Sequence, residues 1–144
     1  MKRLSAAVLC CLAVLALAPP GSAAIRITKI YYNSPGIESG SNASLNGEWI
    51  AIRNTGNRER QLKGWKIRDV AGNVFRFLSF KLPAGTTVKI HTGKGPDTFP
   101  HHLYWKLESY VWDNDKDKAT LRNAAGNIVD TCSYNNASAS YKVC

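Results

Sequence analysis

Apolar and polar residues alternate in short runs along most of the chain, which is the pattern of half-buried β-strands. In Gln61–Val70, for example, Trp65 and Ile67 share one face while Lys66 and Arg68 share the other. No segment after residue 24 shows a convincing helical period. The predicted strands, Leu103–Trp112 only partly extended, are Ile25–Tyr32, Glu48–Asn54, Gln61–Val70, Val74–Leu78, Thr87–His91, Leu103–Trp112, Lys118–Arg122 and Ile128–Cys132.

Gly, Asn, Asp and Pro separate these runs, so the chain is expected to turn after each one. About seven to nine short strands in one domain of this length are typical of an antiparallel β-sandwich. Two segments carry no strand pattern. Ser34–Gly47 is rich in Ser, Asn and Gly and is predicted to be a mobile surface loop, and Thr92–His102 is predicted to be irregular.

The first 24 residues have the three parts of a secretory signal peptide. Lys2 and Arg3 precede the apolar run Leu4–Leu17, and Ser22–Ala24 offers small residues for cleavage after Ala23 or Ala24. The alternative is a membrane anchor, but a run of about 14 residues is short of the ~20 that span a bilayer. We therefore predict a signal peptide over 1–24 and a secreted, extracellular domain over 25–144, with no membrane span after cleavage.

Two cysteines, Cys132 and Cys144, remain after this cleavage. Export places them in an oxidising compartment, where two thiols allow one intramolecular pairing. We predict a Cys132–Cys144 disulfide that stabilises the domain by roughly 3 kcal/mol. Pairing of the terminal Cys144 between two chains is the alternative.

Several motifs together resemble the lamin-tail domain family, and in particular its stand-alone secreted bacterial members. The matching segments are Asn46–Asn54, Leu62–Asp69, Gly72–Phe77, Leu82–Gly85, Asp117–Leu121 and Gly126–Asp130. The resemblance implies an immunoglobulin-like sandwich without enzymatic activity and without catalytic residues to carry over. It also implies contacts to protein or nucleic acid, as in nuclear lamins, or attachment to secreted hydrolases and nucleases, as in bacteria.

The residues form no motif that predicts a catalytic site, a metal site or a cofactor. Asp113–Asp117 begins like a calcium loop, but Lys118 and Ala124 stand where an EF-hand needs Gly and Glu, so a polar hairpin loop is expected, with a weak calcium site of another kind as the alternative. The three histidines lack the spacing of a zinc site. No serine lies in a nucleophile elbow, and Glu48 with Asp69 is weak evidence for a glycosidase pair.

The excess of basic residues is more informative about function than these motifs. Lys and Arg number 19 against 10 acidic residues, a net charge of +9, and +7 once Lys2 and Arg3 are removed. Six basic residues fall at positions predicted to face outward on strands: Arg53, Lys66, Arg68, Arg76, Lys89 and Arg122. Several of them on one sheet face would bind a polyanion, either nucleic acid or an anionic wall polymer. The alternative is a solvated face that only favours solubility.

Aromatic residues offer a second candidate contact. Tyr104 and Trp105 are predicted to be exposed and to contact a ligand, whereas the lamin-tail resemblance implies that Trp65 and Trp112 lie in the core. The leading interpretation is a secreted, monomeric, non-catalytic binding module with an unknown protein or polyanion partner. Polyanion binding, an accessory role beside an extracellular hydrolase or nuclease, and self-association are the alternatives.

Overall fold

Burial along the strands follows the alternation seen in the sequence. In β9 (Asp117–Arg122), Ala119 and Leu121 are fully buried while Lys118 is exposed. The structure, a computed structural model, describes residues 24–135 and 138–144, so the predicted signal peptide lies outside the described residues except for Ala24. The other elements are β1 Ile25–Tyr31, α1 Asn42–Gly47, β2 Trp49–Asn54, β3 Arg60–Gln61, β4 Lys66–Arg68, β5 Val74–Arg76, β6 Lys81–Leu82, β7 Thr87–His91, β8 His102–Tyr104, β10 Ile128–Tyr134 and β11 Tyr141–Val143.

Nine of these strands form two sheets that face each other. The five-stranded sheet has the order β11-β1-β2-β7-β8 and the four-stranded sheet the order β10-β9-β4-β5, while β3 and β6 form a separate small ladder. Neighbouring strands are antiparallel except β7 and β8, which are parallel. A parallel neighbour needs a connection that returns the chain to the starting end, and residues 92–101 make that return. The predicted immunoglobulin-like sandwich is confirmed.

The core lies between the two sheets. Ile50, Ile52 and Ile90 of the five-stranded sheet and Ile67 and Leu121 of the four-stranded sheet are fully buried in one cluster. Since successive side chains of a strand alternate between faces, every second residue of these strands points away from the core. The two outer faces of the sandwich therefore point in opposite directions.

The insert Ser34–Gly47 differs from the prediction because it contains a helix. α1 is capped by Ser41, whose Oγ accepts the Ser44 N–H at 3.3 Å, and it buries Leu45. The Ser34 side chain donates to the Ser44 carbonyl at 2.6 Å, which ties the start of the insert to the helix. Six residues show too little of a helical period for sequence reasoning to detect. Among the described residues, no helix is long and apolar enough to cross a membrane.

The predicted strand Gln61–Val70 is broken in the middle. β3 and β4 are separated by a turn in which Gly64 has a φ of +82°, a conformation that glycine adopts without a steric cost. The Leu62 N–H donates to the Phe80 carbonyl at 2.8 Å, and the Trp65 N–H donates to Leu62 at 2.9 Å. The single predicted strand is therefore two short strands joined by a turn.

The predicted disulfide between Cys132 and Cys144 is confirmed, with an Sγ–Sγ distance of 2.01 Å. Cys132 lies on β10, an edge strand of one sheet, and Cys144 follows β11, an edge strand of the other. The disulfide thus joins the two sheets along one side of the sandwich.

Candidate functional site

Four of the six predicted basic residues meet on the outer face of the four-stranded sheet. Arg76 on β5 and Arg122 on β9 are both direct cross-strand partners of Lys66 on β4. Arg68 lies two residues further along β4 on the same face, and exposed Lys118 of β9 extends the face. We call the set Lys66, Arg68, Arg76, Lys118 and Arg122 the basic face.

No carboxylate of the described residues forms an ion pair with the basic face. The ion pairs in this part of the chain join Arg26 to Asp130, Lys81 to Glu59 and Lys94 to Glu108. Asp130, although on β10, turns towards β1, where its Oδ2 accepts the Ile27 N–H at 2.9 Å. Arg122 uses one of its N–H groups within the protein, since its Nη1 donates to the Gly126 carbonyl at 2.8 Å.

The other two predicted basic residues, Arg53 and Lys89, lie on the outer face of the five-stranded sheet. The six positions therefore divide between two opposite faces. Arg53, Arg68 and Arg76 are exposed, whereas Lys66, Lys89 and Arg122 are half-buried.

A row of rings that sequence reasoning missed crosses the five-stranded sheet. Register places Tyr141, Tyr31, Trp49, His91 and Tyr104 side by side on β11, β1, β2, β7 and β8. Tyr31 stacks on Trp49 at 5.5 Å and on Tyr141 at 5.7 Å between ring centroids, and His91 stacks on Tyr104 at 5.0 Å. Lys29 and Tyr31 are two residues apart on β1, and this spacing puts a lysine and an aromatic ring on the same face. The row itself depends on strand order, which brings five strands together.

Two lysines contact these rings. Lys29 Nζ lies 3.7 Å from the centroid of the Tyr141 ring, and Lys89 Nζ lies 4.2 Å from that of Trp49. Such contacts attract an ammonium group to the ring without using its N–H donors on a carboxylate. We call Lys29, Tyr31, Trp49, Lys89 and Tyr141 the lysine–aromatic face.

Tyr104 and Trp105 do not form the exposed pair that was expected. Both are half-buried, and they point to different surroundings. Tyr104 ends the ring row beside His91, whereas Trp105 packs edge-on against Phe75 at 5.7 Å and Trp112 at 6.2 Å. Trp112 is buried as expected, and Trp65 is partly buried against the core.

The two candidate carboxylates, Glu48 and Asp69, accept hydrogen bonds from groups of the protein itself. Glu48 is fully buried and accepts hydrogen bonds from Thr92 Oγ1 at 2.5 Å, from the Val111 N–H at 2.8 Å and from the Trp112 N–H at 3.2 Å. Burial raises the pKa of Glu48 to about 7, against the opposing effect of these three donors. Asp69 accepts the N–H groups of Gly72 and Asn73, both at 2.7 Å, and so closes the turn after β4.

The stretch Asp113–Asp117 is a polar loop whose carboxylates accept backbone donors, but the predicted hairpin is wrong, because β8 before the loop and β9 after it lie in different sheets. Asp117 accepts the Val70 N–H at 3.1 Å and the Asp113 N–H at 3.2 Å. Within the described residues, no three His, Cys, Asp or Glu side chains gather as metal ligands. A cleft of about 750 Å³ opens beside this loop, and its lining includes Lys116 and Lys118 together with these two carboxylates, so it has no excess of either charge.

Comparison with known protein families matches residues 18–136 to the family described as Lamin Tail Domain. A comparison with curated proteins found no match. The family match covers most of the chain and agrees with the sandwich fold and with the motifs found in the sequence. The chain belongs to the lamin tail domain family.

Proposed function

We propose that the chain is a secreted, non-catalytic binding module that holds a phosphate polymer on its basic face. One observation carries this proposal: Arg76, Lys66 and Arg122 stand side by side on three neighbouring strands with no carboxylate of the described residues in an ion pair with them. Like charges directly opposite each other in a sheet destabilise it. An anion from outside the protein would remove that repulsion.

The side chains of this row suit phosphate. Neighbouring strands lie about 4.8 Å apart, so the three cations span about 10 Å. A guanidinium group presents its donors as a planar fork that matches two phosphate oxygens. Arg68 and Arg76 are exposed, and Arg122 keeps further donors beyond the one on Gly126. A polymer offers several phosphates to such a row, and its binding releases counterions.

Secretion is part of the proposal because it decides which polymers the module meets. The Cys132–Cys144 disulfide is typical of an oxidising compartment, which is compatible with the predicted signal peptide. Outside a cell, the phosphodiester chemistry could come from nucleic acid or from an anionic wall polymer. Both present repeated phosphates, and the experiment below separates them.

The test is fluorescence anisotropy of the purified, exported protein with a short labelled DNA duplex and with a teichoic-acid-like polyphosphate, at low and moderate salt. We expect binding that weakens steeply with salt, and the Lys66→Glu/Arg68→Glu variant should lower the affinity at least about tenfold and the salt slope by about 2. The polymer that binds more tightly at moderate salt identifies the preferred source of phosphate.

The matched control is Arg58→Glu/Lys63→Glu, which makes the same change in net charge at exposed residues outside the basic face. If this control weakens binding as much as Lys66→Glu/Arg68→Glu, only net charge matters and the basic face is not a site. Absence of binding even at low salt would assign the charge to solubility and leave a protein partner, such as an extracellular hydrolase or nuclease, as the function to pursue.

A further inference from the structure

The lysine–aromatic face has a charge arrangement of its own, on the side of the sandwich opposite the basic face. Register places Lys29 on β1 and Lys89 on β7 on either side of Ala51 on β2. The next row towards the start of β1 holds Arg26 directly opposite Arg53. Arg26 is paired with Asp130, but no carboxylate of the described residues is in an ion pair with Lys29, Arg53 or Lys89.

Both ammonium groups lie near the Trp49 ring, although the ring closest to Lys29 Nζ is that of Tyr141, at 3.7 Å. Lys29 Nζ lies 5.7 Å and Lys89 Nζ 4.2 Å from the centroid of the Trp49 ring. The Cα atoms of two lysines on alternate strands are about 10 Å apart, and here the short Ala51 side chain lies between them. Ala51 is only 4% exposed, which is consistent with coverage by its longer neighbours. Two like charges therefore lie on one sheet face, and no carboxylate of the described residues forms an ion pair with either of them.

The rings fix these ammonium groups rather than offering a free stacking surface. Tyr31 has Trp49 on one side and Tyr141 on the other, with interplanar angles of 23° and 22°. Tyr31 lies between two rings and Trp49 faces a ring and a lysine, so a sugar or base has little open face on either, and only Tyr141 at the sheet edge is largely exposed among these three rings, at 46%. Each ammonium group, held by cation–π attraction, still has N–H donors for a ligand. A ligand that satisfies this arrangement is an anion with several oxygen acceptors.

We infer that the lysine–aromatic face is a second phosphate-binding site, with Lys29 and Lys89 as its ligand-contacting residues. The inner faces of the two sheets pack on the shared core, so this site and the basic face point in opposite directions. One straight polymer cannot contact both. The domain therefore bridges two polyanion chains. Bridging rests on the proposed function of the basic face, whereas the second site itself does not depend on it.

The site itself is tested with inorganic pyrophosphate, a small probe with no polymer character. The Trp49 indole N–H signal is followed by NMR in the exported protein and in the Lys29→Gln/Lys89→Gln variant, which keeps side chains long enough to cover Ala51. We expect pyrophosphate to shift the Trp49 signal in the unmodified protein and not in the variant. An unchanged Trp49 signal at saturating pyrophosphate, or the same shift in both proteins, would overturn the site.

Bridging is tested with two populations of the same DNA duplex, one labelled with an energy-transfer donor and the other with an acceptor. The unmodified protein should bring donor and acceptor together. Lys29→Gln/Lys89→Gln and Lys66→Gln/Arg68→Gln should each still bind single duplexes yet lower the energy transfer about tenfold, because each retains one face. The control Arg58→Gln/Lys63→Gln should bridge as the unmodified protein does.

The outcomes separate the two proposals. If Lys29→Gln/Lys89→Gln bridges as well as the control, the second face does not hold the polymer and the inference is wrong. If Lys66→Gln/Arg68→Gln abolishes all binding while Lys29 and Lys89 are intact, the inference is equally wrong. If instead Lys29→Gln/Lys89→Gln abolishes binding and Lys66→Gln/Arg68→Gln does not, the second site stands, and the basic face and bridging fail.

Discussion

Glu48 shows how one buried residue joins distant parts of the fold. It lies between α1 and β2, and its carboxylate accepts donors from Thr92 after β7 and from the segment Val111–Trp112. These residues are far apart in sequence, so the carboxylate fixes two loops at one end of the sandwich. Its full burial makes proton binding part of folding.

We predict that the Glu48 site makes stability fall as pH rises. Its pKa of about 7 in the folded protein lies above the ordinary value of 4.5, so between these pH values the folded state binds the proton and the unfolded state does not. The free energy of unfolding should fall by up to about 3 kcal/mol from pH 4.5 to above pH 7, and Glu48→Gln should remove this loss. Urea denaturation of both proteins across this range measures the difference.

Comparison with the variant is needed because His91 acts in the opposite direction. Burial lowers the pKa of His91, so its contribution to stability is lost as pH falls. His91 is present in both proteins, and the difference between their pH profiles isolates Glu48. Parallel profiles would contradict the prediction.

At the scale of elements, the insert Ser34–Gly47 is anchored through α1. Leu45 is 3% exposed, whereas Ile37 in the same insert is 88% exposed. The helix is also held from outside, since Asn42 and Asn46 both donate to the Lys94 carbonyl, at 2.9 Å and 2.8 Å. These contacts are made with a loop that lies about 50 residues later in the chain.

Leu45→Ala is therefore expected to lower the free energy of unfolding by about 2–3 kcal/mol, because it leaves a cavity beneath the helix. Ile37→Ala, the matched control, should change stability by less than about 0.5 kcal/mol. Denaturant titration of the two variants measures both values. If the insert were a mobile loop, as the sequence suggested, the two substitutions would be equally neutral.

β11 is short, so we expect its position at the edge of the sheet to depend on the disulfide. It has three exposed residues and pairs with β1 alone, and Cys144 follows it directly. We expect the Cys132→Ala/Cys144→Ala variant to lose roughly 3 kcal/mol of unfolding free energy. Reductant should produce a similar loss in the unmodified protein and none in the variant, as followed by denaturation, while an unmodified protein indifferent to reductant would contradict this.

At the scale of the whole molecule, part of the excess positive charge lies on the outer sheet faces, where like charges in neighbouring strands are expected to lower stability. Lys66 lies between Arg76 and Arg122. Lys66→Gln should therefore raise the free energy of unfolding by about 0.5 kcal/mol at low salt, while weakening polyanion binding. The gain should shrink as salt screens the row, because the Debye length falls to about 3 Å at 1 M.

Lys63→Gln is the control for this prediction, since Lys63 is exposed outside the basic face. It should leave stability almost unchanged. Thermal or chemical denaturation at low and high salt compares the two. A loss of stability in Lys66→Gln at low salt would show that the row is not repulsive and would remove the main support for the proposed function.

The sequence by itself determined the sandwich, because a two-residue period of apolar side chains buries one face of each strand whatever the strand order. It also predicted the Cys132–Cys144 pairing, since two cysteines follow the predicted cleavage site, and the structure decided against the alternative of pairing between chains. It predicted the outward direction of Lys66 and Arg68 for the same reason. Alternation is a local property, and sequence reasoning is well suited to it.

Only the tertiary structure decided which strands are neighbours, because strand order depends on contacts distant in sequence. That order placed Arg76, Lys66 and Arg122 in one row and sent Arg53 and Lys89 to the opposite face. It also assembled Tyr31, Trp49 and Tyr141 beneath Lys29, from segments far apart in sequence. A face of a sheet is built across strands, so its chemistry follows from the register between them, which no single run of residues contains.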